Sequence, residues 1–271
     1  MALAPFPNQS ESEPNDHKAP VDPPEQQDSS GGKMSFLEHL DELRKRLIVA
    51  AGSLLGGVLI AFAFVGFIFD FIMQPLTSVL PPGGTLVFTE PTEAFLLTIK
   101  MAALGGLMLA TPVLLWQVWL FIAPGLYANE KRFAIPFVFF ATAFFMGGAL
   151  FAHYALFPIA WRFFASFSSG YLSFMPRIQP AFSLYVRLVL ACGLVFQMPT
   201  IVFFMARIGV LTPGFLARNI KYAVLAIFII AAVLTPTGDP VTLTMMALPM
   251  MVLYGLSILI AWIFARRQED D

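Results

Sequence analysis

The sequence predicts an all-α polytopic membrane protein: six transmembrane helices, both termini cytoplasmic, with short fifth and sixth helices. Three observations predict it. Hydrophobic residues make up 58% of the 271 and charged residues only 12%, far from the composition of soluble domains. Six apolar segments, approximately 47–69, 95–123, 134–161, 181–206, 222–235 and 241–264, follow one another along the chain. Lys and Arg gather on alternate connections: Lys33, Arg44, Lys45 and Arg46 before the first segment, Lys131 and Arg132 between the second and third, Arg207, Arg218 and Lys221 between the fourth and fifth, Arg266 and Arg267 after the last. The 70–94 and 236–240 connections hold none, and 162–180 holds only Arg162 and Arg177. The positive-inside bias therefore places both ends in the cytoplasm, as an even number of spans requires.

Residues 1–33 are rich in Pro, Ser, Gln, Asp and Glu and poor in large apolar residues, which predicts a disordered N-terminal tail. The basic start and apolar run of a secretory leader are missing from it. The structured region is expected over 34–264, followed by a short cytoplasmic tail at 265–271. It opens with Ser35 and Glu38 in capping-box spacing and with Phe36, Leu40, Leu43 and Leu47 at helical intervals. The opposite face carries Glu38, Asp41, Glu42, Arg44, Lys45 and Arg46; Asp41 with Lys45 and Glu42 with Arg46 are i,i+4 pairs in the favourable order. Such a helix lies along the membrane interface, its charged face either a solvated anchor or a binding surface.

The first four apolar segments and the last are long enough for ~30 Å of hydrocarbon, which takes about 20 helical residues. The fifth is short, and Pro236, Gly238 and Pro240 force a tight turn before the sixth, a hairpin that thins the bilayer locally. Between the first two spans, Pro75, Pro81, Pro82, Gly83, Gly84 and Pro91 break up residues 70–94, which reads as an ordered cap and not a regular domain. Glu90 and Glu93 then suit the start of the second span, where the helix dipole favours negative charge.

Residues 116–132 are the stretch the rest of the chain serves. Trp116, Trp119 and Phe121 close an apolar run, Pro124-Gly125 turns the chain, and Glu130, Lys131 and Arg132 stand side by side before the next run begins. Aromatics followed by a short charged turn is how a chain leaves a bilayer and re-enters it. Glu130 either neutralises its basic neighbours or is a docking point for a cationic peptide, since a carboxylate pairs bidentately with a guanidinium.

Polar groups at membrane depth are few. Lys100 and Arg187 lie near span ends, where their stems snorkel outward. Gln197, in Val195-Phe196-Gln197-Met198-Pro199, sits deep in the fourth span and needs a partner. It is either glue between helices or a polar spot offered to a partner's transmembrane helix. No Asp or Glu occupies the middle of a span and no internal repeat is visible, which weighs against the main rival, a secondary transporter or channel for a small solute. His17, His39 and His153 show no ligand spacing and Cys192 is alone, so no metal, disulfide, cofactor or catalytic residue is expected. No phosphate-binding Gly-rich loop is present either.

Four motifs in order resemble one family, TatC, the multispanning receptor subunit of the twin-arginine protein translocase. They are Met34 through Leu47, with its His-Leu-Asp-Glu-Leu-Arg-Lys-Arg core; Phe88 through Phe95; Trp116 through Arg132; and Leu234-Thr-Pro236 with Asp239. The likeness covers about 34–264. It implies a non-enzymatic receptor in the plasma (inner) membrane of a prokaryote. That receptor binds twin-arginine signal peptides of folded proteins at its cytoplasmic face. It assembles with single-span subunits of the TatA and TatB type in a multimeric complex, and transport is driven by the proton-motive force; no nucleic acid is involved. Carried over by position, Glu42, Arg44, Phe121 and Glu130 bind the signal peptide, with Trp119 and Phe121 beside its apolar part. Pro75 and Asp239 match structural positions on the outer side, and Gln197 falls where the family carries Glu or Gln. A Gln there leaves no titratable group, and Gly255 stands where the family often has Glu.

Overall fold

The computed structural model describes residues 36–80, 85–122, 134–168, 174–207, 209–235 and 239–264. The unit considered below runs from Leu40 onward; of what precedes it, only the first turn of one helix, residues 36–39, is described. Every named element among the described residues is helical. The order is α1 (Phe36–Ala63), α2 (Val65–Thr77), α3 (Pro91–Ile122), α4 (Ala134–Phe151), a π-turn (Ala152–Leu156), α5 (Phe157–Ala165), α6 (Ile178–Val195), α7 (Met198–Arg207), α8 (Pro213–Arg218), α9 (Ile220–Leu234) and α10 (Pro240–Phe264).

Among the described residues, five stretches are long and apolar enough to cross a membrane: Leu40–Ala63, Pro91–Phe121, Ile135–Ala165, Ile178–Arg207 and Pro240–Ile263. The expected fifth span is α9, whose 15 residues reach only about 22 Å at ~1.5 Å per residue. Its shortness agrees with the sequence reading, but the sixth helix, also expected to be short, is α10 with 25 residues, long enough to span. The second span begins as expected, with Glu93 in the first turn of α3.

A further expectation fails. The cap was to begin at residue 70, yet the chain stays helical to Thr77, with only Phe64 interrupting it between α1 and α2. Pro75 accordingly lies buried inside α2 and not in a loop. A proline at this position gives up its own bond to the carbonyl four residues earlier, a local cost. Ile72, Met73 and Leu76 meanwhile bury fully in the main core and hold the helix together. After α2, Val87 forms a single parallel bridge to Arg177: Ile178 N donates to Val87 O at 3.0 Å and Val87 N to Pro176 O at 3.1 Å. This ties the entry of α3 to the entry of α6.

Small residues set the helix crossings, as hydrocarbon gives no hydrophobic drive between spans and close backbone approach must supply the contact. A Cβ on Gly57 would stand 2.6 Å from the carbonyl oxygen of Gly106, where α1 crosses α3, and one on Gly148 would stand 2.6 Å from that of Cys192, where α4 crosses α6. The bundle itself is built by α3, α4 and α6 around Met101, Phe157, Phe182 and Leu188, with α9 and α10 added through Ile227 and Met250. α7 packs mainly along α10. α1 is held least: 11% of its span is buried, against 39% for the second, fourth and last.

Candidate functional site

On α1, Arg46 Nη2 donates to Glu42 Oε1 at 2.8 Å, closing one of the two expected i,i+4 pairs. Asp41 and Lys45 stay exposed and do not pair. Glu42 retains 17% of its side-chain exposure, and its second oxygen, Oε2, is shielded and accepts nothing among the described residues. Arg46 Nε is likewise shielded without an acceptor. Arg44 is exposed on the same helix. The outcome is a carboxylate fixed in orientation by its neighbour, with acceptor capacity left over.

Phe121 sits half-buried in the last turn of α3. Glu130 and the turn at Pro124-Gly125, expected near Glu42, lie outside the described residues, as do Ser35, 123–133 and 236–238. Trp119 is not beside any open surface. It is 1% exposed and packs between Phe137 of α4 and Phe204 of α7, with ring centroids 4.8 and 5.0 Å away. This corrects the sequence reading of Trp119 as a peptide contact: burying so large a ring between three helices stabilises them more than an interfacial position would. The cluster forms a rigid floor under the end of α3.

Gln197 lies in the break between α6 and α7, buried, and its Nε2 donates to the backbone carbonyl of Ala141 on α4 at 2.8 Å. Asp239 caps α10: Thr242 N donates to its Oδ2 at 2.8 Å and Leu243 N to its carbonyl at 3.1 Å. Lys100 and Arg187 are exposed, as snorkelling requires.

Two constellations escaped the sequence reading. The sequence reads Glu93 as a helix-dipole residue and Arg177 as one of two basic residues in the 162–180 connection, but Arg177 Nη2 donates to Glu93 Oε1 at 2.7 Å while Thr89 N donates to Oε2 at 2.9 Å. Nothing local announces a partner 84 residues away. The second is His153, whose Nδ1 lies 3.2 Å from the Tyr185 hydroxyl and whose ring stacks on Phe71 at 4.1 Å. Among the described residues, no group of three His, Cys, Asp or Glu side chains is placed to hold a metal.

Comparison with known proteins agrees with this geometry. The family model "Sec-independent protein translocase protein (TatC)" matches residues 38–249. The chain is 40% identical over 239 residues to a Sec-independent protein translocase protein TatC of Desulforapulum autotrophicum, covering 88% of each. Against that of Koribacter versatilis it is 41% identical over 233 residues, covering 85% of this chain and 86% of the relative. A crystal structure of "Twin Arginine Translocase Receptor- TatC" superposes with a TM-score of 0.71 at 35% identity, covering 84% of this chain and all of that one. A second, of the same receptor in DDM, gives 0.72.

Proposed function

The chain belongs to the TatC family, a non-enzymatic protein-transport family, and from that membership we propose that it is the receptor subunit of a twin-arginine translocase. It crosses the inner membrane of a prokaryote six times, α9 being the short fifth span, with both termini in the cytoplasm. At its cytoplasmic face Glu42, Arg44, Phe121 and Glu130 bind the twin-arginine signal peptides of folded proteins, and single-span TatA- and TatB-type subunits assemble around it.

The observation that carries this reading is the half-used carboxylate of Glu42. Oε1 is held by Arg46, and Oε2 is left without a donor. A guanidinium brings several donors and no acceptor, so an incoming arginine is the complementary group. Glu130 serves the second arginine. A charge-assisted hydrogen bond contributes roughly 1.5–3 kcal/mol, less at this partly exposed site. Retention of a twin-arginine peptide, but not its twin-lysine variant, by the purified chain is the direct test. Glu130→Ala is expected to abolish retention while leaving membrane insertion intact. Undiminished crosslinking of the Glu130→Ala chain to the peptide removes Glu130 from the site.

A further inference from the structure

His153 is 1% exposed, lies in the π-turn between α4 and α5, and is engaged only on one side. Its Nε2 is shielded and has no partner. A single π-turn inside an α-helix re-aims side chains and is frequent at functional sites, and an unpaired ring nitrogen in an apolar bundle is uncommon and costly.

Two cavities flank the ring's cover. One, of about 520 Å³, is lined mostly by apolar residues, with Asp70, Gln74 and Thr77 exposed along α2 as its polar groups. The other, of about 230 Å³, is lined by His153 and Tyr185 and is otherwise apolar. Phe67 and Phe71 belong to the lining of both. Phe71 is the plane stacked on His153, only 7° from parallel. It is therefore at once the cover on the imidazole and part of the lining of both cavities.

We propose that His153 is a proton-accepting site inside the membrane bundle, reached by water from the Asp70–Gln74–Thr77 cavity when the Phe71 ring swings aside. In the closed state the ring is neutral and dry. In the open state the Nε2 lone pair takes a proton from water, and Nδ1–H donates to the Tyr185 oxygen, so the positive ring is held by the hydroxyl and by the faces of its aromatic neighbours. The titratable groups around it are Tyr154, edge-on at 4.5 Å from the same turn, and Tyr185 from α6, with Asp70 of α2 in the adjoining cavity. From α3 the lining adds Leu104 and Met108, and the surrounding core holds Trp161 of α5 with Met246 and Met250 of α10; none of these titrates. This proposal is independent of where the signal peptide binds. It gives the chain a titratable group within the bundle, which Gln197 cannot supply.

The test is diethyl pyrocarbonate acylation of His153 in the full chain in lipid nanodiscs, followed at that residue by mass spectrometry. In the wild type the reaction is expected to be slow. Phe71→Ala accelerates it about tenfold, the aromatic stacking energy expressed as an opening equilibrium. Leu150→Ala, which enlarges only the apolar cavity, leaves the rate unchanged. Because only the neutral ring reacts, the Phe71→Ala rate falls as the pH is lowered from about 8 to about 5, the range in which imidazole titrates. Equal acceleration by both variants, fast wild-type labelling, no acceleration in Phe71→Ala, or a flat pH profile each overturns the proposal. If Phe71→Ala does not purify as a folded chain, Phe71→Leu is read the same way.

Discussion

Glu42 with Arg46 and Glu93 with Arg177 are ion pairs made of the same residue types, and they are opposites in construction. The Glu93 carboxylate is 3% exposed, and both its oxygens accept, from Arg177 and from the Thr89 backbone. It is a finished latch that fastens the start of α3 to the start of α6. The Glu42 pair spans one helical turn, and only one of its carboxylate oxygens is used. A satisfied pair fixes shape, whereas an unfinished one keeps valence for something that arrives.

The largest expected effect comes from exchanging the two. Glu42→Gln should weaken retention of a twin-arginine peptide about tenfold, as expected for one charge-assisted bond at a partly exposed site. Its stability should stay within about 0.5 kcal/mol of the parent. Glu93→Gln should do the reverse, lowering the melting temperature well beyond Glu42→Gln while folded protein retains the peptide normally. Melting curves and peptide pull-downs on the two variants, side by side, decide it. If Glu93→Gln loses peptide and keeps its melting temperature, the latch is part of the binding surface and the contrast is wrong.

Asp239 is a third carboxylate, and it caps α10 through Thr242 N. Asp239→Ala should cost about 1 kcal/mol of stability, the usual value of an N-cap. Asp239→Asn, which keeps an acceptor in the same place, should cost much less. Equal losses in thermal melts of the two variants would mean that the charge matters and the cap does not.

How much of this was readable in advance follows from the range of each interaction. Composition and the spacing of apolar runs exposed the all-helical membrane class, the long spans and the short α9, since these depend on residues near one another in sequence. The Glu42–Arg46 pair was legible for the same reason. α2 was missed because Pro75 and the glycines and prolines after it are local breaking signals, and the burial of Ile72, Met73 and Leu76 that overrides them is tertiary. Trp119 was misplaced because an aromatic at the end of an apolar run looks alike whether it faces headgroups or the rings of Phe137 and Phe204. Glu93–Arg177 and His153–Tyr185 join residues 84 and 32 apart, and no spacing rule reaches that far. Glu130 was found through the motif resemblance and stands on that.

Gln197 falls between the finished and unfinished carboxylates, and the smallest effect is expected there. Its Nε2 is spent on the Ala141 carbonyl, and its own oxygen makes no hydrogen bond within the described residues. Ala141 lies inside α4, so its carbonyl keeps its helical partner when the side chain is removed. Hydrogen bonds between spans contribute about 0.6 kcal/mol on average, and a leucine regains part of that through burial. Gln197→Leu should therefore barely change melting or peptide retention. A contact with a partner's transmembrane helix would have to use the remaining oxygen and so would need a donor from that helix. Export by Gln197→Leu separates the two roles: reduced export with normal peptide retention makes Gln197 a partner contact, and wild-type export leaves it as the bond that joins the α6–α7 break to α4.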